Sequence, residues 1–237
     1  MSRKPRTPSA DSSKTSGGKT DEGGTRFERI HAELRRRICL LDYPPGTVLS
    51  EVILAEEFSV SRTPIRRVLH KLEFEGLVQI KNGVGTIVTD IDLKTLKETY
   101  DLRMRLTELM GDLSPVPVTK VHLSQMDRLI ARAEKLRKSR NVKGYGELAT
   151  ELQRTLSGLT GNVPLRETID LFYYRVARIW FTYLPKLDWD DVLSAQVDEL
   201  TEMREALARQ DLVEVGRVRS LHLRGILVRI SRFLVEP

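Results

Sequence analysis

The chain has 237 residues, with 39 Lys and Arg against 33 Asp and Glu, and 40% of its residues are hydrophobic. This composition is typical of a globular protein, and no apolar run approaches the roughly 18 residues that a membrane-spanning helix needs. The chain starts without the apolar stretch of a secretory signal. The single cysteine, Cys39, excludes a disulfide framework and a cysteine zinc cluster. We therefore expect a cytoplasmic protein of one or two domains that does not bind membranes.

Residues 1–25 are predicted to be a disordered tail. They contain thirteen Ser, Thr and Gly residues and almost no large apolar side chains. Such a segment cannot bury enough surface to offset the entropy cost of ordering. Its five basic residues outnumber three acidic ones, so contact with nucleic acid is possible, although a solvated tail is the simpler interpretation.

Residues 26–90 are predicted to form a first domain that begins with three helices. Apolar residues at three- and four-residue steps predict helices over 27–41, 51–58 and 62–74. Ser50 and Ser61 are the predicted N-caps of the second and third helices. A short helix, a tight turn and a further helix form the pattern of a helix-turn-helix.

The third helix carries an apolar stripe on one face and basic residues on the others. Its first turns contain Arg62, Thr63, Arg66 and Arg67, and no acidic residue occurs before Glu73. In a helix-turn-helix these turns meet the DNA, where arginine can pair with guanine and free backbone N–H groups can bind phosphate. The alternatives are a solvated basic face or a surface for another protein.

A β-hairpin is predicted after the third helix. Residues 77–81 and 86–89 resemble strands, and Asn82-Gly83 between them is a strong hairpin signal. Lys81 lies at the predicted tip. A helix-turn-helix followed by a hairpin is a winged helix, so the sequence predicts a winged helix-turn-helix that binds double-stranded DNA.

The first domain resembles the GntR family of bacterial transcription regulators. The resemblance is carried by Leu49-Ser50-Glu51, by the run from Val60 to Arg66 with its Ser-Arg-Thr-Pro sequence, and by Leu72-Glu73-x-Glu75-Gly76-Leu77. It implies that Arg62 and Arg66 read bases, that Ser61 and Thr63 hold phosphate, and that Gly85 in the wing enters the minor groove. The chain departs from the family at two positions, which are Arg67 for the usual Glu and Val84 for the usual Arg. The first change should strengthen the attraction to phosphate, and the second should weaken the wing contact.

Residues 91–237 are predicted to form an all-helical bundle. Helices are expected near 93–112, 123–139, 142–160, 165–184, 189–210 and 211–234, separated by proline, glycine and asparagine signals. The fold class is therefore mostly α, with an N-terminal winged helix-turn-helix and a C-terminal helical bundle.

The bundle resembles the FCD domain of the FadR subgroup, which binds effectors and dimerises. The resemblance rests on Tyr100-Asp-x-Arg103, on Leu156 with Gly161-Asn162, and on the run from Glu199 to Asp211. Many such domains hold a divalent metal with one Asp and three His. Those four positions fall on Ala149, Gln153, Leu200 and His222. Because one imidazole and one amide are too few ligands for such a metal, we expect no metal or other cofactor.

An effector would then be held by organic groups alone. The resemblance implies that Arg103 faces the cavity, where its guanidinium would suit a carboxylate, and that Gln153 and His222 line the vacated metal position. Against this, a lone His222 is more often an interior hydrogen-bonding residue, and Arg103 could pair with an acid of the chain. Six aromatic residues within 172–183 indicate either a cavity wall or ordinary core.

The leading hypothesis is a homodimeric transcription regulator that binds a palindromic operator and responds to a small carboxylate. Repression is the mode expected from the resemblance. The alternative is a constitutive DNA-binding regulator whose helical domain only dimerises. An enzyme is disfavoured, because the four histidines are scattered and no phosphate loop or nucleophile motif occurs.

Overall fold

The computed structural model describes the backbone of residues 19–90 and 92–233, and the side chains of 26–90, 92 and 94–233. This part of the chain contains nine α-helices and one three-stranded antiparallel sheet. The predicted fold class, a winged helix-turn-helix followed by a helical domain, is confirmed. None of the helices within the described ranges is both long enough and apolar enough to cross a membrane.

Three helices form the core of the winged-helix domain. They are α1 (Lys19–Cys39), α2 (Glu51–Glu57) and α3 (Arg62–Phe74). Ile30, Leu34 and Ile38 of α1 are buried against the stripe of Ile65, Val68, Leu69 and Leu72 on α3. The apolar spacing in the sequence therefore positions α3 with one face in the core and leaves its basic faces outside.

Helix α1 begins at Lys19, earlier than the predicted start at residue 27. Residues 19–25 of the predicted disordered tail are thus helical, and residues 1–18 lie outside the described residues. The prediction failed here because it required apolar periodicity. Once a helix has been nucleated by buried turns, each added residue gains a hydrogen bond at a small entropy cost.

The wing is larger than the predicted hairpin. β2 (Val78–Lys81) pairs with β3 (Gly85–Val88), and β3 also pairs with β1 (Val48–Leu49), which the sequence analysis missed. A strand of two residues is too short to show the alternation of apolar and polar residues by which strands are predicted, so β1 could not be recognised from the sequence. The predicted turn is present, with Gly83 in the left-handed region at φ +77°.

Six helices build the second domain: α4 (Leu93–Glu108), α5 (Lys120–Ser139), α6 (Val142–Ser157), α7 (Val163–Tyr183), α8 (Trp189–Ala208) and α9 (Leu212–Ser231). Their starts are set by capping side chains that accept a hydrogen bond from the first turn, as Asn162 does from Leu165 N and Asp188 from Asp191 N. Short 3₁₀ turns follow α4 and α7, where single long helices were predicted.

The two domains meet where α7 touches the end of α3. Arg175 Nε donates to the backbone oxygen of Glu75 at 3.3 Å, and Arg178 donates to Thr89 Oγ1 at 2.8 Å. Gly76 has φ +75°, and a Cβ there would lie 3.0 Å from Arg175 Nε. Glycine is favoured here by the positive φ of the turn, and α7 is anchored at the C-terminal end of α3.

Candidate nucleic-acid interface and helical-domain cavity

The N-terminal end of α3 is open to an anionic ligand. Ser61 occupies the N-cap position with φ −72° and ψ 167°, but its side chain makes no capping hydrogen bond, contrary to the predicted cap. Ser61 and Thr63 are both exposed. Backbone N–H groups in the first turn of a helix lack partners within the helix, and the helix dipole adds positive potential there. This end of α3 can therefore accept phosphate oxygens.

Arg62 and Arg66 lie exposed on the same side of α3, with 59% and 57% of their side-chain surfaces accessible. Both bind the carboxylate of Glu51, at the start of α2. Arg66 does so through two hydrogen bonds of 3.0 Å, and Arg62 through one of 3.0 Å. These hydrogen bonds, chiefly that from Arg66, lower the pKa of Glu51. The Arg66 guanidinium thus donates two hydrogen bonds to one planar carboxylate. The same geometry suits the two acceptor atoms on the edge of a guanine.

Arg67 occupies the flank of α3 that faces α1. Its guanidinium lies 5.4 Å from the centre of the Phe27 ring, and the ammonium of Lys71 lies 5.4 Å from the same ring. Arg67 remains exposed. Cation–π contacts at exposed sites are weak, about 0.5–1 kcal/mol, so this arrangement leaves the Arg67 charge available to a neighbouring phosphate.

The wing presents Lys81 and Gly85 as directly paired, exposed residues at its tip. Gly85 has φ +114°, a conformation that L side chains rarely adopt, so the glycine is required by the backbone. Val84 beside it is exposed, with 58% of its surface accessible. The wing tip thus exposes the ammonium group of Lys81 and, at Gly85, a backbone without a side chain.

The cavity of the helical domain is small, with a volume of about 30 Å³, enough for roughly one water molecule. Arg103 reaches it and is only 6% exposed. Its guanidinium lies 5.0 Å from the centre of the Tyr100 ring and 5.5 Å from that of Tyr173. Burial lowers the pKa of Arg103, and neighbouring Arg219 adds repulsion. Among the side chains that the structure describes, no carboxylate forms an ion pair with Arg103.

The structure separates the other two predicted effector residues from this cavity. Gln153 is buried and donates to Asp170 Oδ1 of α7 at 3.0 Å. His222 lines an adjacent crevice, and its Nε2 lies 3.3 Å from Glu199 Oε2. Burial lowers the pKa of His222 to about 4. Arg103, Gln153 and His222 therefore do not form one site in this conformation, because Gln153 is paired with Asp170 and His222 with Glu199.

The two domains match two family models. Residues 26–88 match the gntR family of bacterial regulatory proteins, and residues 98–225, more than half of the chain, match the FCD domain. The chain belongs to the GntR family.

Curated relatives of the chain are also transcriptional regulators. The repressor RspR of Escherichia coli is 23% identical over 209 residues, which are 88% of this chain and 90% of the relative. The gluconate operon repressor of Bacillus licheniformis is 35% identical over 113 residues, which are 42% of this chain and 46% of the relative. The chain thus spans about half or less of the first curated relatives it matches. These families and relatives are transcriptional regulators, not enzymes, as the sequence analysis predicted.

The fold agrees with that of a solved structure, McbR/YncC of Escherichia coli. The TM-score is 0.77 at 15% sequence identity, over 88% of this chain and 98% of the other. At this identity the likeness establishes the fold alone.

The metal ligands common in FCD domains do not fit this GntR-family chain. Ala149 has no donor atom, Leu200 is fully buried, and the Gln153 amide is committed to Asp170. Within the described side chains, no three His, Cys, Asp or Glu residues are grouped to hold a metal. One imidazole beside Glu199 is a poor site for Zn²⁺ and similar ions.

Glu199 is the centre of a buried polar network that the sequence analysis did not identify. Arg219 donates to Glu199 Oε1 at 2.8 Å, and Gln196 donates to Oε2 at 2.6 Å. Tyr145 donates in turn to Gln196 at 3.1 Å. Nothing in the sequence indicates that a Glu and an Arg twenty residues apart on different helices form an ion pair. The network gives the carboxylate of Glu199 a full set of partners in the interior.

Proposed function

We propose that the protein is a sequence-specific regulator of transcription that binds double-stranded operator DNA through α3 and the wing. The observation that carries this proposal is the uncapped N-terminal end of α3 with Arg62 and Arg66 exposed beside it. Phosphate would bind at Ser61 and Thr63, Arg62 and Arg66 would read base edges, and Lys81 and Gly85 would contact the neighbouring groove.

Glu51 would act as an internal competitor for the DNA. Its carboxylate occupies both base-reading guanidinium groups in the free protein. Such exposed ion pairs contribute only about 0–1 kcal/mol, so a bidentate contact with guanine can replace this one at little cost. The carboxylate also keeps the two arginines on one side of α3.

We further propose that the protein is a homodimer. Four exposed apolar residues lie on two helices that pack together, α4 and α9. They are Leu102 on α4, Leu109 directly after α4, and Leu221 and Val228 on α9, and each pair is spaced by one heptad. Their combined surface favours a self-complementary contact between two copies, which would place two α3 helices on a palindromic site. Light scattering should give about twice 27.1 kDa, and Leu221→Glu with Val228→Glu should shift the mass toward one chain.

The effector, in this proposal, is a small carboxylate that pairs with Arg103 without a metal, and the protein acts as a repressor. Arg103 is a buried cation whose close neighbours are ring faces and a second cation, and an uncompensated interior charge is strongly stabilised by an anion. Because the cavity has room for about one water, the aromatic residues around it must move to admit an effector. Binding acts on the DNA only through its preference for one domain arrangement.

The small cavity favours a second candidate, a constitutive regulator whose helical domain only dimerises. Thermal unfolding in the presence of a panel of carboxylates separates the two. A saturable rise in the melting temperature supports sensing, whereas no rise with any member favours the constitutive regulator.

Mapping of bound genomic DNA tests the DNA-binding proposal itself. The wild type should enrich a palindromic sequence, and Arg66→Ala should lose that enrichment. Arg128→Ala, an exposed arginine on α5, is the matched control and should retain it. Equal enrichment by both variants would contradict the role of Arg66, and no enrichment by the wild type would contradict the proposed function.

A further inference from the structure

A cleft between the two domains is much larger than the cavity within the helical domain. It lies between α1 and α6, with Tyr174 of α7 at its base, and its volume is about 460 Å³. Small-molecule sites typically measure about 300–1,000 Å³. The cleft thus has the size of a metabolite site, whereas the 30 Å³ cavity does not.

The inner part of the cleft is apolar. Ala32, Cys39 and Leu40 of the first domain line it together with Tyr174. The Cys39 thiol is buried and lies 3.6 Å from the Tyr174 backbone oxygen, and Arg35 is stacked 3.7 Å from the centre of the Tyr174 ring. Polar atoms at the base are therefore already in contact with one another, and the remaining lining favours an apolar group.

Each acidic residue of the cleft already has an arginine partner. Glu33 of α1 binds Arg36 and Arg37. The pKa of Glu33 is lowered to about 2, chiefly by the hydrogen bond from Arg36. Glu147 and Glu151 of α6 both bind Arg132. Because Glu147 and Glu151 share the single charge of Arg132, these two carboxylates retain one net negative charge on the α6 side of the cleft.

Two arginines of the cleft have no acidic partner among the described side chains. Arg29 comes from α1 and Arg154 from α6, and both are exposed. Considering only the side chains that the structure describes, neither guanidinium has an acidic partner within 4.0 Å. One such cation from each domain in a cleft with a partly apolar lining is complementary to an anion that carries an apolar group.

We propose that this interdomain cleft binds an organic anion with an apolar body, such as a medium-chain or aromatic carboxylate. The anionic group contacts Arg29 and Arg154, and the apolar body enters toward Leu40 and Tyr174. Because its two cations belong to different domains, the ligand binds tightly only when α1 and α6 keep this arrangement. The binding site stands independently of DNA recognition, but an influence on operator affinity rests on the proposed function.

The test uses the full-length protein and the fluorescent anion 8-anilinonaphthalene-1-sulfonate. We expect saturable binding with one site per chain, displacement by octanoate, and little displacement by octanol, which has the same chain length without the charge. Arg29→Gln with Arg154→Gln should weaken binding by about tenfold or more. Ala32→Trp, which fills the cleft, should weaken it by a similar factor.

The matched control is Arg128→Gln with Arg209→Gln, two exposed arginines away from the cleft, which should bind the probe like the wild type. Thermal unfolding of each variant establishes that it is folded. Wild-type affinity in the Arg29/Arg154 variant, equal competition by octanol, or no saturable binding would each overturn the proposal.

Anisotropy of labelled operator DNA, measured with and without octanoate, keeps the two proposals apart. Probe binding without any DNA binding contradicts the proposed function and leaves the cleft site in place. DNA binding without probe binding contradicts the cleft site alone. A change in operator affinity with octanoate that is absent in the Arg29/Arg154 variant supports the regulatory role.

Discussion

The arginines of the two domains are placed in opposite environments. On α3, Arg62 and Arg66 are more than half exposed and share the carboxylate of Glu51. In the helical domain, Arg103, Arg178 and Arg219 are at most 6% exposed. An exposed guanidinium can exchange one acceptor for another at small cost, whereas a buried one depends on the partner it has. The same residue type is therefore available to an external acceptor on α3, whereas Arg178 and Arg219 are committed to partners within the chain.

The junction between the domains contains both a buried arginine and a more accessible one. Arg178 is fully buried on α7, yet it donates to Thr89 at the end of the wing. Glu75 at the C-terminal end of α3 lies 2.8 Å from His31 Nε2 and 3.5 Å from Arg35, which stacks on Tyr174 of α7. The contacts of α7 thus reach the C-terminal end of α3 and the base of the wing.

The largest expected effect comes from removing the acid of the buried pair. Glu199→Gln leaves Arg219 charged and buried without its counterion, and should lower the free energy of unfolding by about 3–5 kcal/mol. Glu214→Gln breaks the exposed pair with Arg217 and should cost about 0–1 kcal/mol. Urea unfolding measures both, and equal losses would contradict the contrast between buried and exposed pairs.

Acid should destabilise the helical domain through His222. Its pKa is lowered to about 4 by burial, while the unfolded imidazole titrates near about 6.5. Between these values the unfolded chain binds more protons, so stability is retained above pH 6.5 and is lost as the pH falls toward 4. Unfolding measured across this window should show that His222→Asn has a shallower loss than the wild type. An identical slope would contradict the buried neutral state of His222.

A smaller effect is expected when the exposed pair on α3 is broken. Glu51→Gln removes a negative charge beside Arg62 and Arg66 and frees both guanidinium groups. Affinity for operator and for random duplex should rise by up to about fivefold, since exposed pairs contribute about 0–1 kcal/mol. Anisotropy at fixed salt measures both, with Glu214→Gln as the control. A large loss of affinity would instead mean that Glu51 is needed to position the arginines.

The smallest effect concerns Cys39. Burial raises the pKa of its thiol to about 12, so the native protein should react with iodoacetamide far more slowly than the unfolded protein, because the thiolate is the reactive form. Mass spectrometry of the alkylated protein measures the ratio, and rapid native labelling would contradict the packing of α1 against α7.

The sequence predicted best what depends on local pattern. The bounds of α3, Arg62–Phe74, match the prediction because the apolar stripe runs from Ile65 to Leu72 and Gly76 follows in a positive-φ turn. Partner choice in the interior was not predictable. The resemblance to the FCD domain implies that Gln153 lines the cavity, but Gln153 bonds to Asp170 of α7, because side-chain pairing between helices depends on how the helices pack.

The most direct test of the central claim is the operator discrimination of Arg66→Ala. Affinities of wild type and variant are measured by anisotropy for the selected palindrome and for random duplex at the same salt. The account predicts that the variant remains a folded dimer and loses about 1–3 kcal/mol of discrimination, because its affinity falls further for the palindrome than for random DNA. Unchanged discrimination would contradict the assignment of α3 as the helix that reads the operator.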